Sequence, residues 1–240
     1  MKNLQKEELE VLQEDSSIFT ANLQRRSFLQ YAGAGMAGVA LVAAGCKKDK
    51  TPDNMTGVTL DFKDDTGVLN YAYALEQLEA AFYMQVAANP PSDLSPTERS
   101  YFQDIQFHEI AHREFFKKAL GNAAIKGLEV DFSSINFTTR AGVLGAAKTF
   151  EDLGVAAYNG AGVRIKSDAN LVIAGQIVSV EARHAAYVRD LISNGSFADL
   201  SSLTGLGADN AKGLDGALTP DKVLAAAKPF IKTKINVINL

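Results

Sequence analysis

Two short stretches of the chain carry the residue types that bind metal ions in proteins. Glu109 and His112 are three residues apart, and so are Glu181 and His184. Both pairs lie in apolar sequence with helical periodicity, where positions i and i+3 fall on one face of a helix. The chain has only three histidines, and two of them stand in this pattern. One Glu-x-x-His alone is usually a solvated pair, but its repetition indicates a metal site of carboxylates and imidazoles.

Each pair has an upstream glutamate that could complete a set of ligands. Glu76 lies 33 residues before the first pair (109 − 76), and Glu151 lies 30 residues before the second (181 − 151). Each glutamate is followed seven residues later by a tyrosine, Tyr83 or Tyr158. Seven residues are nearly two helical turns, so each tyrosine lies close to the same side of its helix as its glutamate. Glu79 borders the same helix face and is the alternative ligand on this helix. The spacing to Tyr83 favours Glu76 over Glu79. Tyrosines at such positions are more often core aromatics, and the alternative predicted here is that their hydroxyls reach the carboxylate on the opposite helix.

The motifs follow one another on four helices in the order Glu, Glu-x-x-His, Glu, Glu-x-x-His. This order matches a four-helix bundle with a dinuclear metal centre. On these motifs, the stretch from about Val68 to Ser193 resembles the ferritin-like superfamily, and within it the exported ferritin-like domain proteins that include desiccation-related members. The resemblance implies an all-α fold, a ferritin-like four-helix bundle with a long connection between helices 2 and 3. It also implies two iron or manganese ions with six ligands: bridging Glu109 and Glu181, terminal Glu76 (or Glu79) and Glu151, and His112 and His184.

Start and stop signals divide the stretch into four helices. Ser95 before Pro96, with Glu98 three residues after Ser95, is a capping-box signature, and Gly121 follows the last periodic residue of that helix. Residues 122–139 have no sustained helical period, as expected for a connection that returns along the bundle between parallel helices. The predicted helices are Thr66–Ala88, Pro96–Leu120, Arg140–Ile165, Asp168–Ser193 and a short Pro220–Lys228.

The first 46 residues have the features of an export signal. Arg25-Arg26 before Ser-Phe-Leu resembles a twin-arginine translocation signal, and Ala-Ala-Gly-Cys resembles a lipobox with Cys46 as the lipidated first residue of the mature protein. The apolar run of about 15 residues is shorter than the roughly 20 that a membrane span needs, although an uncleaved anchoring helix is the alternative. The predicted organisation is a signal at 1–46, a linker at 47–66, the bundle at 67–193 and a C-terminal strap at 194–240.

Composition excludes several classes of function. The formal net charge of −4, without a basic cluster, gives no indication of a nucleic-acid partner. A single cysteine excludes an intramolecular disulfide framework and any iron site held by four thiolates. Electrons for redox chemistry would therefore come from an external reductant.

Other polar residues near the motifs are predicted to lie outside the site. His108 is expected to face away from His112 and to be exposed. Glu114, Asp152 and Arg183 are interpreted as surface charges on the helices.

The ligand set favours an exported oxidoreductase that acts on peroxide or oxygen, by ferroxidase, peroxidase or catalase-like chemistry, in stress protection at the periplasm or envelope. The alternative is a non-enzymatic protective or interaction protein in which the metal stabilises the bundle, as the desiccation-related resemblance suggests. Iron storage needs a closed multi-subunit cage, for which a lipid-anchored chain is a poor candidate. The expected partners are the membrane, through the lipid at Cys46, an external reductant and a second copy of the chain in a homo-oligomer.

Overall fold

Four long helices dominate the part of the chain that the computed structural model describes, residues 57–240. They are 24, 25, 23 and 25 residues long. The predicted export signal with Cys46, and the first part of the predicted linker, lie outside the described residues. The predicted all-α bundle is confirmed by four helices: α1 Asp65–Ala88, α2 Pro96–Leu120, α3 Arg140–Gly162 and α4 Asp168–Ile192.

Each long helix begins at a side chain that caps its free backbone N–H groups. The N-cap residues are Asp64, Ser95, Thr139 and Ser167, and each accepts a hydrogen bond from a backbone N–H two or three residues on. The predicted capping box of α2 is present. Ser95 Oγ accepts from the Glu98 N–H, and Glu98 Oε2 accepts from the Ser95 N–H. These caps fix where each helix enters the bundle.

Helix α3 ends three residues earlier than predicted, at Gly162 instead of Ile165. The N–H groups of Arg164 and Ile165 bond to carbonyls three residues back, those of Ala161 and Gly162. This tighter turn replaces the last α-helical turn and leads into α4 at Ser167.

Contacts between side chains give the directions of the helices. Tyr101 of α2 packs against Tyr187 of α4, and farther along α2 the His108 ring meets His184, nearer the start of α4. Residue numbers rise on one helix as they fall on the other, so α2 and α4 are antiparallel. Because a short loop reverses the chain between α3 and α4, α2 and α3 are parallel. The chain between them, residues 121–139, must therefore return along the bundle.

A pair of short parallel strands joins two distant parts of the described chain. Strand β1, Val58–Asp61, pairs with β2, Ile235–Ile238, with Val58 opposite Ile235. The prediction of a linker over 47–66 is therefore wrong at its end, since β1 and the first residues of α1 occupy it. Leu60 is fully buried, but a four-residue strand whose partner lies at the far end of the chain leaves little local signal.

The segment after α4 packs along α3. Its helix α5, Pro220–Ala227, buries Val223 completely. The predicted helix includes Lys228, but in the structure this residue begins a 3₁₀ turn. Upstream, the Leu218 N–H donates to the Ala156 carbonyl, and Asn159 donates to the Gly216 carbonyl. The tail is thus attached to α3 by backbone contacts as well as by apolar packing.

The sequence predicts Asp152 at the surface, but the structure buries it. Its side chain is 7% exposed, and both carboxylate oxygens accept hydrogen bonds from the Arg189 guanidinium, at 2.7 and 3.0 Å. A buried carboxylate without a partner would be costly, and this bidentate pair between α3 and α4 satisfies it.

Within residues 57–240, no helix is long and apolar enough to cross a membrane.

Two glycines of α3 give a matched test of the tail contact. A methyl group at Gly160 would lie 1.7 Å from the Leu218 carbonyl oxygen, whereas one at Gly145 would meet no atom within 4 Å. Gly160→Ala should lower the free energy of unfolding by about 1–3 kcal/mol, because the tail must move. Gly145→Ala should raise it by about 0.5–1 kcal/mol through helix propensity. Urea denaturation of both variants measures these changes, and equal stabilisation by both would contradict the packing of the tail on α3.

Candidate metal centre

The residues predicted as metal ligands come together in the middle of the bundle. Each long helix contributes one glutamate, and α2 and α4 each add the histidine one turn further on. All four glutamates are 0% exposed, although charged side chains are rarely buried without a partner. The six residues are Glu76, Glu109, His112, Glu151, Glu181 and His184.

Their polar atoms form two overlapping groups of four residues. One group is Glu76, Glu109, His112 and Glu181, and the other is Glu109, Glu151, Glu181 and His184. Within each group, one atom from every residue lies within 4.8 Å of the others, the spacing expected around a single cation. Glu109 and Glu181 belong to both.

Each imidazole presents its Nδ1 atom to the carboxylates. Nδ1 of His112 lies 3.0 Å from an oxygen of Glu181 and 3.5 Å from one of Glu76. Nδ1 of His184 lies 2.9 Å from an oxygen of Glu109 and 3.4 Å from one of Glu151. Despite these short distances, neither Nδ1 makes a hydrogen bond of acceptable geometry. A cation among these atoms would give all of them a partner.

Eight buried atoms of the six residues have no hydrogen-bond partner. They are two imidazole nitrogens and six carboxylate oxygens: both oxygens of Glu109 and Glu181, one each of Glu76 and Glu151, and Nδ1 of His112 and His184. Unpaired buried polar atoms are uncommon in proteins, and a cluster of eight needs an explanation. Oxygen and imidazole donors in this combination fit iron or manganese, and the residues present therefore fit a metal centre.

Two tyrosine hydroxyls donate hydrogen bonds to the remaining oxygens of Glu76 and Glu151. Tyr83 of α1 donates to Glu151 of α3, and Tyr158 of α3 donates to Glu76 of α1. The tyrosines thus reach across to the opposite helix, as the sequence predicts. Burial, followed by the nearby glutamate charges, raises the pKa of both phenols well above its ordinary value, so both remain donors.

Burial raises the pKa of most of the glutamates in the centre, because a charged carboxylate loses its hydration there. The pKa of Glu76 rises to about 7, and that of Glu151 is also raised. The pKa of Glu181 is raised well above its ordinary value by burial and by the charge of Glu109. Four carboxylates this close together cannot all be charged cheaply without cations between them.

The imidazoles shift in the direction expected beside carboxylates. Burial acts to lower the pKa of His112 and His184, but the surrounding carboxylates outweigh it and raise the pKa of both. Burial likewise acts to raise the pKa of Glu109, yet the two imidazoles lower it to about 2. Metal ions would therefore have to displace protons from these rings.

Glu79, the alternative to Glu76, lies beside the centre and outside both groups of four. It is buried, and burial followed by the charge of Glu181 raises its pKa well above the ordinary value. Gly154 of α3 makes room for it, since a methyl group there would lie 2.9 Å from Glu79 Oε1 and 3.3 Å from Glu181 Oε2. The structure thus brings Glu76, and not Glu79, together with the other five residues.

His108 is exposed, as predicted, but its ring is not turned away from the site. Its Nδ1 lies 2.9 Å from Nε2 of His184. Sequence reasoning missed this contact although the signal was present. His108 and His112 are four residues apart, which separates them by only about 40° around the helix.

The comparisons with known proteins agree with this geometry. The family model of the ferritin-like domain matches residues 64–194, more than half of the chain and all four long helices. No curated protein matches the sequence. With the bundle, the matched residues and the buried carboxylate–histidine cluster in agreement, the chain belongs to the ferritin-like domain family.

Proposed function

We propose that the chain binds two iron or manganese ions and uses them in redox chemistry on hydrogen peroxide or dioxygen. The observation that carries this proposal is the set of eight unpaired buried atoms, distributed over two groups that share Glu109 and Glu181. A helical bundle that needed only mechanical stability would have no use for four fully buried glutamates at one point. Two divalent cations would balance the charge of those four carboxylates.

The free oxygens support a division of the ligands into bridging and terminal. Neither oxygen of Glu109 or Glu181 accepts a hydrogen bond, so both carboxylates would be available to hold either ion. Glu76 and Glu151 have one oxygen free, since a tyrosine hydroxyl occupies the other, so each suits a terminal position. One ion would then be held by Glu76, Glu109, His112 and Glu181, and the other by Glu109, Glu151, Glu181 and His184.

Iron or manganese in such a site supplies the change of oxidation state that reactions of peroxide or oxygen require. The protein's part is to hold the ions in a dry interior and to keep the terminal carboxylates oriented. The phenols of Tyr83 and Tyr158 do the latter, because each stays protonated and donates to one carboxylate oxygen. With one cysteine in the chain, the electrons come from an external reductant.

The proposed setting is the periplasm or the cell envelope, with Cys46 lipidated and the protein acting in protection against oxidative stress. This part rests on the twin-arginine and lipobox-like motifs alone, which lie outside the described residues. The non-enzymatic alternative, a protective protein stabilised by its metal, predicts the same ligands but no turnover.

Metal content tests the site itself. Wild-type protein loaded with iron or manganese and desalted should hold about two ions per chain. Glu109→Ala should lose both, because Glu109 belongs to both groups. The matched control is Glu114→Ala, which removes an exposed glutamate of the same helix and should keep both ions. Elemental analysis measures the content, and a full complement of metal in Glu109→Ala would overturn the assignment.

Turnover of peroxide tests the reaction. Metal-loaded wild-type protein mixed with hydrogen peroxide should release oxygen or, once an added reductant has reduced the metal, change its absorbance as peroxide oxidises the metal again. Glu181→Ala should do neither, because it removes a ligand shared by both groups. A protein that holds two ions and is inert to peroxide and oxygen would favour the non-enzymatic alternative.

The pH dependence of stability tests the electrostatics. The folded state raises the pKa of Glu76 from 4.5 to about 7. The folded chain therefore binds more protons than the unfolded chain, and this stabilisation is complete below pH 4.5 and lost as the pH rises through 7. Glu151 and Glu181 shift in the same direction. The opposite shift of Glu109 acts only at lower pH.

The free energy of unfolding of the metal-free protein should thus fall between about pH 5 and about pH 8. Metal affinity should rise over the same interval, because the ligands bind the ions only when deprotonated. Urea denaturation and metal titration at several pH values measure the two trends. A metal-free protein that gains stability toward pH 8 would contradict the buried cluster.

A further inference from the structure

The contact between His108 and His184 is an in-plane hydrogen bond between two imidazoles. Nδ1 of His108 and Nε2 of His184 are 2.9 Å apart, the ring planes differ by 7°, and the ring centroids are 5.2 Å apart. That centroid separation is what one N···N hydrogen bond plus the radii of two five-membered rings gives. The rings therefore meet edge to edge, with the hydrogen bond in both planes, and do not stack face to face.

The other nitrogen of His184 faces the proposed metal centre. Its Nδ1 lies 2.9 Å from an oxygen of Glu109 and 3.4 Å from one of Glu151. An imidazole that binds a metal through Nδ1 carries its proton on Nε2. In that tautomer His184 is the donor, and Nδ1 of His108 is the acceptor.

The second imidazole of the centre has no such support. Among residues 57–240, no side chain or backbone group is hydrogen-bonded to Nε2 of His112. The sequence shows the same difference, because the residue before Glu109 is His108 and the residue before Glu181 is Val180. The two halves of the bundle supply equivalent residues to the centre, but in the described part of the chain only His184 has a protein group hydrogen-bonded to the ring nitrogen that faces away from the centre.

We propose that His108 is a positioning residue of the metal centre, which fixes the orientation and tautomer of His184 and thereby strengthens binding of one of the two ions. The proposal rests on the proposed function, since it concerns an ion held by His184. A group that accepts the second N–H of a metal-binding histidine typically contributes 10- to 100-fold to metal affinity. The acceptor is usually a carboxylate, a carbonyl or water, whereas here it is the neutral imidazole of the exposed His108.

The test uses Co²⁺ alone as the probe, with the protein otherwise unaltered. His108→Phe keeps a ring of similar shape and removes the acceptor, and His108→Asn places an oxygen near the lost Nδ1. Phe107→Ala, at an exposed neighbour on the same helix, is the control. Because position 108 is exposed, these variants should fold, and thermal unfolding of the metal-free proteins checks this.

Two readouts separate a positioning role from a structural one. The first is the affinity of each Co²⁺ ion, and the second is the exchange with solvent of the imidazole N–H protons, which the bound Co²⁺ shifts out of the crowded region of the proton spectrum. His108→Phe should weaken one ion about 10- to 100-fold and speed exchange of the His184 proton, leaving the His112 proton unchanged. His108→Asn should restore most of the Co²⁺ affinity and most of the slow exchange of the His184 proton. Phe107→Ala should change neither the affinity nor the exchange.

The outcomes also separate this inference from the proposed function. Wild-type protein that binds two Co²⁺ ions, with the same affinities and proton exchange in His108→Phe, would overturn the role of His108 and leave the centre intact. Equal weakening of both ions with unchanged proton exchange would make His108 a structural contact and would also overturn it. Wild-type protein that binds no Co²⁺ would overturn both proposals.

Discussion

The structure depends on the cost of removing carboxylates from water. Glu76, Glu109, Glu151 and Glu181 are fully buried at one level of the bundle, and together with the two imidazoles they leave eight polar atoms unpaired. In water these atoms would be hydrated, and in a dry interior they repel one another unless cations or protons intervene. In the metal-free protein, protons take the place of cations, which is why the pKa values of Glu76, Glu181 and both histidines are raised.

The remainder of the fold gives this cluster its rigidity. The N-terminal caps fix where each of the four helices begins, and the two tyrosines fix the carboxylates of Glu76 and Glu151 on the opposite helix. The long connection between α2 and α3 is held to α1 as well, because Asn70 and Gln77 accept hydrogen bonds from the N–H groups of Ile125 and Leu128. Apolar packing, backbone pairing and side-chain hydrogen bonds thus all limit the freedom of the ligand-bearing helices.

Much of this arrangement follows from local sequence. Helical periodicity, the Ser95–Glu98 capping box and the three-residue spacing of the glutamates and histidines predict the four helices and the inward face of each. Features that depend on distant partners were missed. Strand β1 pairs with a segment 177 positions farther along the chain (235 − 58), and Asp152 is buried only because Arg189 reaches it. The contact between His108 and His184 spans 76 positions. The spacing of His108 and His112 on one helix therefore indicates on which side the His108 ring lies, but not that it contacts His184.

The distribution of the ligands over the chain has a consequence for how the centre is assembled. The first hairpin, α1 with α2, carries Glu76, Glu109 and His112, and the second, α3 with α4, carries Glu151, Glu181 and His184. Each group of four nevertheless takes three members from one hairpin and the fourth from the other. Neither hairpin can complete a coordination sphere by itself, so an ion bound here would act as a cross-link between them. Full occupancy would therefore require that the two hairpins have already docked.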